Sequence, residues 1–283
     1  KRTDQLYTKI KYMVKNPPSD TNRSGFKICW PKDCIYNEKK EFIGFIMELA
    51  FPESQSLGIL TSTQINKRLD SIWEERYGRR QGPRQVLNRL KLIYNLLQPI
   101  YILHSTGKYV LQDFKPANVL ITPNGKISLI DMDSVQINDS GMVFKGSAAT
   151  PEYIPPEFYI DKNIGKSKLA TVSWDMFAVS VVNYQILFGI HPYAVFPKNL
   201  EKDEINDIST NIRKNYFAHG KHKPELELAP PHKFFEPMPS TIQNLFRNTF
   251  CLNNQRPGCR EWIISIQEII DVAKREETNS NNT

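Results

Sequence analysis

Four polar residues in the middle of the chain have the types and spacing that phosphoryl transfer requires. Asp113, Lys115 and Asn118 lie within one short segment, and Asp131 follows after a brief apolar stretch. A carboxylate can accept or orient the proton of a hydroxyl, and a lysine can offset charge on a transferred phosphate. An amide oxygen and a second carboxylate can hold Mg²⁺ against the phosphates. Together the four side chains predict a site for phosphoryl transfer.

The elements around these residues should bring Asp131 back beside Asn118. Residues 119–121 and 126–130 are mainly apolar, and an Asn-Gly pair lies between them. Asn-Gly is the strongest short-range signal for a hairpin, so we predict two short strands joined by a tight turn. A hairpin reverses the direction of the chain, and the second strand ends at Asp131. We therefore expect the carboxylate of Asp131 to lie near the Asn118 amide.

The remaining segments indicate an α+β fold in which a small sheet-bearing part precedes a larger helical part. Apolar residues at helical spacing predict an amphipathic helix over residues 1–16. Short apolar segments predict an antiparallel pair of strands over residues 26–30 and 41–47. Helical periodicity or continuous apolar character predicts five further helices, over residues 86–104, 173–188, 205–216, 240–250 and 258–273. Residues 221–239 read as a loop, and the tail from Arg275 reads as disordered.

The composition predicts a globular protein without a membrane segment. The chain has 283 residues, 40% of them hydrophobic, and its apolar runs fall short of the roughly twenty residues that a membrane span needs. Residues 1–16 lack the apolar core of a signal peptide, so we expect a cytoplasmic location. The net charge of +7 is dispersed, and nucleic acid is not an expected partner. The four cysteines match neither a zinc site nor a disulfide framework.

The segment around Asp113 resembles the catalytic loop of eukaryotic-like protein kinases, a family of two-lobed enzymes that use ATP and Mg²⁺. The resemblance implies that Asp113 is the catalytic base and that Lys115 is the loop lysine, at the offset typical of Ser/Thr kinases. It also implies that Asn118 binds Mg²⁺. Asp131 begins an Asp-Met-Asp stretch in the place of the family's Asp-Phe-Gly motif, which makes it the second metal ligand.

Two downstream segments resemble the helical lobe of the same family. Residues 150–157 read Thr-Pro-Glu-Tyr-Ile-Pro-Pro-Glu, similar to the end of a kinase activation segment. Thr150 is then expected to contact the catalytic base, and Glu157 is the acid of the family's Ala-Pro-Glu motif. Asp175 is expected to cap the backbone of the catalytic loop. Arg256 corresponds to the arginine that pairs with Glu157, so we expect Glu157, Asp175 and Arg256 to be structural.

Residues 42–50 resemble the fifth strand of a kinase running into the hinge between the lobes. Met47 is then the gatekeeper, although an ordinary core methionine explains it equally well. The resemblance implies that the backbone of Glu48 and of Ala50 meets adenine. Leu120 and Ile130 are expected to complete the ATP pocket.

The resemblance assigns residues 1–50 to a partial N-lobe that contains the family's C helix and its fourth and fifth strands. Residues 51–274 then form the C-lobe, and residues 275–283 a disordered tail. The sequence departs from the family in two ways: no G-x-G-x-x-G loop occurs, and residues 1–16 contain no Glu for the usual lysine–glutamate pair, which leaves only Asp4. The Trp30-Pro31 pair is also similar to a bacterial group of kinase-like proteins that carry a helix-hairpin-helix region.

Three functions stay open from the sequence. The first is a Ser/Thr protein kinase that transfers the γ-phosphate of ATP to a protein substrate. The second is a pseudokinase scaffold that keeps the fold but has weak or no transfer, which the two departures favour. The third is a small-molecule kinase of related fold, which residues 150–157 and Arg256 argue against.

Overall fold

Long helices and short strands make up the fold. The computed structural model describes residues 2–79, 82–146, 149–161, 169–201, 204–251 and 256–280. The helices in these ranges are α1 (Arg2–Lys15), α2 (Ser71–Tyr77), α3 (Pro83–Ser105), α4 (Pro156–Ile160), α5 (Val172–Phe188), α6 (Ile208–Arg213), α7 (Ser240–Cys251) and α8 (Cys259–Ser280). The strands are β1 (Phe26–Ile28), β2 (Pro31–Tyr36), β3 (Phe42–Met47), β4 (Gln55–Ser56), β5 (Tyr109–Val110), β6 (Val119–Ile121), β7 (Ile127–Leu129), β8 (Gln136–Asp139), β9 (Met142–Phe144), β10 (Val195–Pro197) and β11 (Leu226–Leu228).

Strands β2 and β3 form an antiparallel sheet against which helix α1 packs. The ring of Tyr7 in α1 lies 6.1 Å from the ring of Tyr36 and 5.1 Å from that of Phe42, centroid to centroid. The prediction that residues 26–30 pair with residues 41–47 is wrong, because β2 occupies that place. Proline is tolerated at the first position of a strand, so Pro31 can begin β2.

Strand β1 pairs in parallel with β7 at the edge of a four-stranded sheet of order β1-β7-β6-β4. Phe26 and Ile28 are buried there. The burial of these two apolar side chains favours pairing of β1 with β7 over pairing with β3. Strands β6 and β7 form the predicted hairpin, and Gly125 closes its turn with a φ of 77°. Glycine adopts this left-handed conformation without steric cost. This sheet therefore connects β1 to the hairpin that carries Asn118 and Asp131 at its ends.

Helix α5 lies at the centre of the helical part. Its residues from 174 to 188 are all buried, as expected for a nearly continuous apolar sequence. Helix α3 and helix α7 pack against it, and α8 packs against both. Gly189, with a φ of 70°, ends α5. A small sheet-bearing part and a large helical part are both present, so the predicted α+β fold class is confirmed.

The last helix and the region before α7 differ from the sequence-based expectation. Helix α8 continues to Ser280, where the sequence predicts a disordered tail from Arg275. Lys, Arg and Glu residues in this stretch are good helix formers and extend the helix that begins in the core. The predicted loop over residues 221–239 contains β11, which pairs with β10. Within the described ranges, every helix is too short or too polar to cross a membrane.

Candidate active site

The loop between β5 and β6 carries Asp113, whose carboxylate makes two hydrogen bonds. Asp113 is only 3% exposed. Its Oδ2 accepts from the Lys115 ammonium at 2.7 Å, and its Oδ1 accepts from the Thr150 hydroxyl at 2.7 Å. The Lys115 ammonium also donates to Thr150 Oγ1 at 2.9 Å. A carboxylate, an ammonium and a hydroxyl thus form a closed triangle between the loop and the segment before α4.

Asn118 connects this triangle to Asp131. The Asn118 Nδ2 donates to the backbone oxygen of Asp113 at 3.0 Å and lies 3.4 Å from Asp131 Oδ2. The hairpin keeps its two ends together, because the Ile130 N–H donates to the Asn118 carbonyl oxygen at 3.0 Å. All four residues of the first sequence motif therefore lie side by side. An amide and a carboxylate next to each other are suitable oxygen ligands for Mg²⁺.

Asp131 and Gln112 both have an unusual backbone conformation. Asp131 has a φ of 62°, and Gln112, directly before Asp113, has a φ of 61°. This left-handed region costs residues other than glycine on the order of 1–3 kcal/mol, and such strain concentrates at functional sites. Partial burial, together with the negative charges of Asp133 and Asp113, raises the pKa of the Asp131 carboxyl. A cation at this position would reduce the repulsion among the three carboxylates.

Helix α5 supports the loop through Asp175, which is fully buried. The Asp175 carboxylate accepts hydrogen bonds from the backbone N–H groups of Leu111 at 2.7 Å and Gln112 at 2.8 Å. Its Oδ2 also lies 2.9 Å from Nε2 of His104. Asp175 therefore fixes the backbone immediately before Asp113.

Arg256 and Glu157 form a bidentate ion pair in the helical part. The distances are 2.5 Å from Nη1 to Oε1 and 2.8 Å from Nη2 to Oε2. The Arg256 side chain is 1% exposed, whereas that of Glu157 is 34% exposed. Arg256 Nη1 also donates to Ser173 Oγ at 3.1 Å. The pair joins helix α4 to the start of α5 and to the segment before α8.

Two of the residues predicted around adenine lie at the hairpin. Ile130 lines the same small cavity as Asp113, Asn118 and Asp131. Leu120 is paired in β6 with Ser128 of β7. The Ser128 hydroxyl accepts a hydrogen bond from the backbone N–H of Phe51 at 3.1 Å. That bond holds the chain after β3 beside the hairpin.

The other three predicted adenine residues, Met47, Glu48 and Ala50, lie at the end of β3 and just after it. Met47 is 43% exposed, so the described residues do not enclose it as a core methionine. The Glu48 carboxylate pairs with Lys32, and with Lys27 at 3.6 Å. Ala50 is partly buried.

Lys9 of helix α1 also reaches the site, although the sequence patterns did not single it out. It is 5% exposed, and its ammonium donates to the backbone oxygen of Asp133 at 2.5 Å. Burial lowers the pKa of Lys9 to about 8, and the charges of Asp133 and Asp131 partly oppose that shift. A signal was present: Lys9 follows Leu6 by three residues and precedes Met13 by four, on the apolar face of α1. Lysine is rarely found on the apolar face of an amphipathic helix, so a lysine there indicates a functional role for its charge.

Comparison with known families agrees with this geometry. The sequence pattern of the protein kinase domain matches residues 36–265 of the chain. That range includes Asp113, Lys115, Asn118 and Asp131, and it ends within helix α8. The predicted resemblance to protein kinases is therefore confirmed over most of the chain.

Individual relatives are also kinases by name. The chain is 30% identical over 161 residues to the human serine/threonine-protein kinase MRCK gamma, a match that covers 56% of this chain and 9% of that protein. It is 24% identical over 188 residues to protein kinase YegI of Escherichia coli strain K12, covering 64% of this chain and 28% of that protein. The chain therefore spans only a minor part of the length of these relatives. From the matched residues and the arrangement of the four site residues, we conclude that the chain belongs to the protein kinase domain family.

Proposed function

We propose that this chain is a Ser/Thr protein kinase that transfers the γ-phosphate of ATP to a hydroxyl of a protein substrate. The observation that carries the proposal is the position of Asp113, whose carboxylate is held by Lys115 and Thr150 while its backbone oxygen is bound by Asn118. One carboxylate is thereby oriented next to a cation and to a candidate metal ligand. That combination is what phosphoryl transfer to a hydroxyl requires.

Each side chain of the site has a distinct task in this proposal. Asp113 accepts the proton of the substrate hydroxyl as that hydroxyl attacks. The Lys115 ammonium offsets negative charge on the transferred phosphate. The Thr150 hydroxyl keeps the Asp113 carboxylate and the Lys115 ammonium in place. Lys115 follows the base by two positions, as in Ser/Thr kinases, and this spacing supports Ser/Thr specificity.

Asn118 and Asp131 are the residues that would hold Mg²⁺. Their side chains lie 3.4 Å apart, and the pKa of the Asp131 carboxyl is raised by burial and by the negative charges of Asp133 and Asp113, which a cation would offset. Both supply oxygen atoms, the donors that Mg²⁺ prefers. When bound, Mg²⁺ neutralises charge on the ATP phosphates. We assign Met47, Glu48, Ala50, Leu120 and Ile130 to the adenine side of the same site.

An open cleft beside Thr150 supports a protein rather than a small molecule as the substrate. The cleft has a volume of about 850 Å³, and its lining includes Pro151, Glu152 and Phe196. The cleft begins at Pro151, which directly follows Thr150, and Thr150 contacts Asp113, so a polypeptide bound along the cleft would pass near the proposed base. The names of the relatives, which are protein kinases, favour the same class of substrate.

A pseudokinase scaffold is the second candidate function. The observation that favours it is that Lys9 is the residue of α1 that faces the site. Where active kinases use a glutamate to pair with a lysine, this helix presents Lys9. In this second proposal the chain keeps the kinase fold, transfers phosphate weakly or not at all, and serves as a binding module.

Transfer of labelled phosphate from ATP to a generic protein substrate tests the first proposal. We expect Asp113→Asn to lower the rate at least a hundredfold, because the amide cannot accept the hydroxyl proton. The surface variant Asp20→Asn is the matched control and should retain the wild-type rate. Thermal stabilisation by ATP should require Mg²⁺ and should disappear in Asp131→Ala. Stabilisation without any transfer by the wild type would instead favour the scaffold, and absence of both would overturn nucleotide binding itself.

A further inference from the structure

Lys9 is a buried cation with few compensating contacts. It lies on the inner face of α1 beside Ile10 and close to Met13, both of which are fully buried. Removing an ammonium from water costs free energy unless nearby polar groups compensate for the lost hydration. Here the hydrogen bond to the backbone oxygen of Asp133 supplies one partner. An apolar side chain at this position would serve the packing of α1 equally well.

The Lys9 ammonium can donate more hydrogen bonds than the one it makes to Asp133. A lysine can donate three hydrogen bonds, and one from Lys9 is satisfied within the described part of the chain. Among the described residues, Lys9 is not a member of any ion pair. Asp133 and Asp131 are the charged groups that act on it from the facing turn. Lys9 is thus close to the acidic cluster without being neutralised by direct contact.

The other cation of the site is already engaged. Lys115 is bonded to both Asp113 and Thr150, in the half of the site where the hydroxyl of a substrate would react. Lys9 instead binds the turn that begins at Asp131, through the carbonyl oxygen of Asp133. A nucleotide triphosphate with its metal brings several negative charges to that turn, and a second fixed cation there would offset them.

We propose that Lys9 is a positioning residue of the nucleotide site, which fixes the turn after Asp131 through the Asp133 carbonyl and supplies a positive charge that ATP–Mg²⁺ binding requires. This inference rests on the proposed kinase function. It explains why α1 keeps a costly buried charge where an apolar residue would pack. In this proposal α1 presents a positively charged lysine to the site, whereas the corresponding helix of other kinases presents a negatively charged glutamate.

Calorimetric titration of the full chain with ATP–Mg²⁺ tests the inference. We expect Lys9→Met to bind at least tenfold more weakly than wild type while its melting temperature without nucleotide is unchanged or higher. Lys9→Gln keeps a hydrogen-bond donor but removes the charge, so it should bind as weakly as Lys9→Met. Lys9→Arg should retain more affinity than either. The exposed Lys15 of the same helix provides the matched control, and Lys15→Met should bind like wild type.

The outcomes separate this inference from the function on which it rests. If wild type binds ATP–Mg²⁺, Asp131→Ala does not, and both Lys9→Met and Lys9→Gln bind within twofold of wild type, the role of Lys9 is refuted and the kinase proposal stands. If wild type itself shows no binding, both proposals fail. A loss of affinity in Lys9→Met that is accompanied by a large drop in melting temperature would also count against the inference, unless the folded Lys9→Gln shows the same loss.

Discussion

Thr150 shows how a single hydroxyl can orient the two charged residues of the proposed catalytic site. It donates to Asp113 and accepts from Lys115, so the two charged groups are held by a neutral group from another segment of the chain. Small displacements of reacting groups reduce rates strongly even when the groups themselves are present. The proposed chemistry of this site therefore depends also on Thr150, which exchanges no proton with substrate in that proposal.

We predict that Thr150→Val lowers the rate of phosphate transfer about tenfold to a hundredfold, because valine has the same shape but cannot hydrogen-bond to Asp113 or Lys115. Binding of ATP–Mg²⁺ should change by less than twofold, since Thr150 lies on the substrate side of the base. Steady-state rates and nucleotide titrations of the same preparation measure both effects. Thr150→Ser keeps the hydroxyl and should retain most of the rate; equal rates for valine and wild type would contradict the role.

At the scale of elements, helix α5 supports the loop that carries Asp113. Its interior position leaves Asp175 without access to water, so every polar atom of that carboxylate must be satisfied by protein groups. Leu111 and Gln112 supply two of those partners through their backbone N–H groups. The hydrogen bond to Asp175 on the packed helix holds Gln112 in its strained left-handed backbone conformation.

We predict that Asp175→Ala lowers the free energy of unfolding by about 3 kcal/mol, because two buried backbone N–H groups lose their acceptor. Urea denaturation monitored by intrinsic fluorescence measures the change. Asp271 of helix α8, whose side chain is 43% exposed, is the matched control, and Asp271→Ala should cost less than about 0.5 kcal/mol. A loss below 1 kcal/mol for Asp175→Ala would show that water or a rearranged loop satisfies the two N–H groups.

At the scale of the whole molecule, the helical part contains a histidine that folding keeps neutral. His191 Nε2 donates to the Glu152 carbonyl oxygen at 2.9 Å, and Nδ1 accepts from the Tyr193 N–H at 3.2 Å. Protonation of Nδ1 would place its N–H donor against the N–H donor of Tyr193. Burial lowers the pKa of His191 to about 3, and the nearby His232 acts in the same direction.

The resulting pH dependence has a definite sign. The unfolded chain takes up a proton at His191 near pH 6.5, whereas the folded chain does so only near pH 3, so stability is lost as the pH falls through this window. From pH 7 to pH 5 this one residue contributes about 2 kcal/mol of the loss. We predict that His191→Gln shows a loss smaller by that amount in urea denaturation at the two pH values. The more exposed His222 is the control, and a His222→Gln variant with the same reduction would contradict the assignment.

The sequence predicted the local elements of the site well. The β6–β7 hairpin follows from an Asn-Gly turn between apolar segments, and the centre of α5 follows from a continuous apolar run. The pairing of β1 could not be predicted, because its three residues fit an antiparallel partner as well as a parallel one. The assignment of residues 1–50 and 51–274 to separate lobes stays a prediction, and the pairing of β1 with β7 crosses that boundary.

The sequence alone determined the residue types and spacing of the proposed catalytic loop, the hairpin that returns Asp131 to Asn118, and the family of the fold. These properties depend on neighbours within about twenty positions, where local backbone preferences and periodicity act. Only the tertiary structure decided that Lys9 faces Asp133, that β1 pairs with β7 and that Met47 is exposed. Such contacts depend on how distant segments pack, and no local pattern in the sequence encodes that packing.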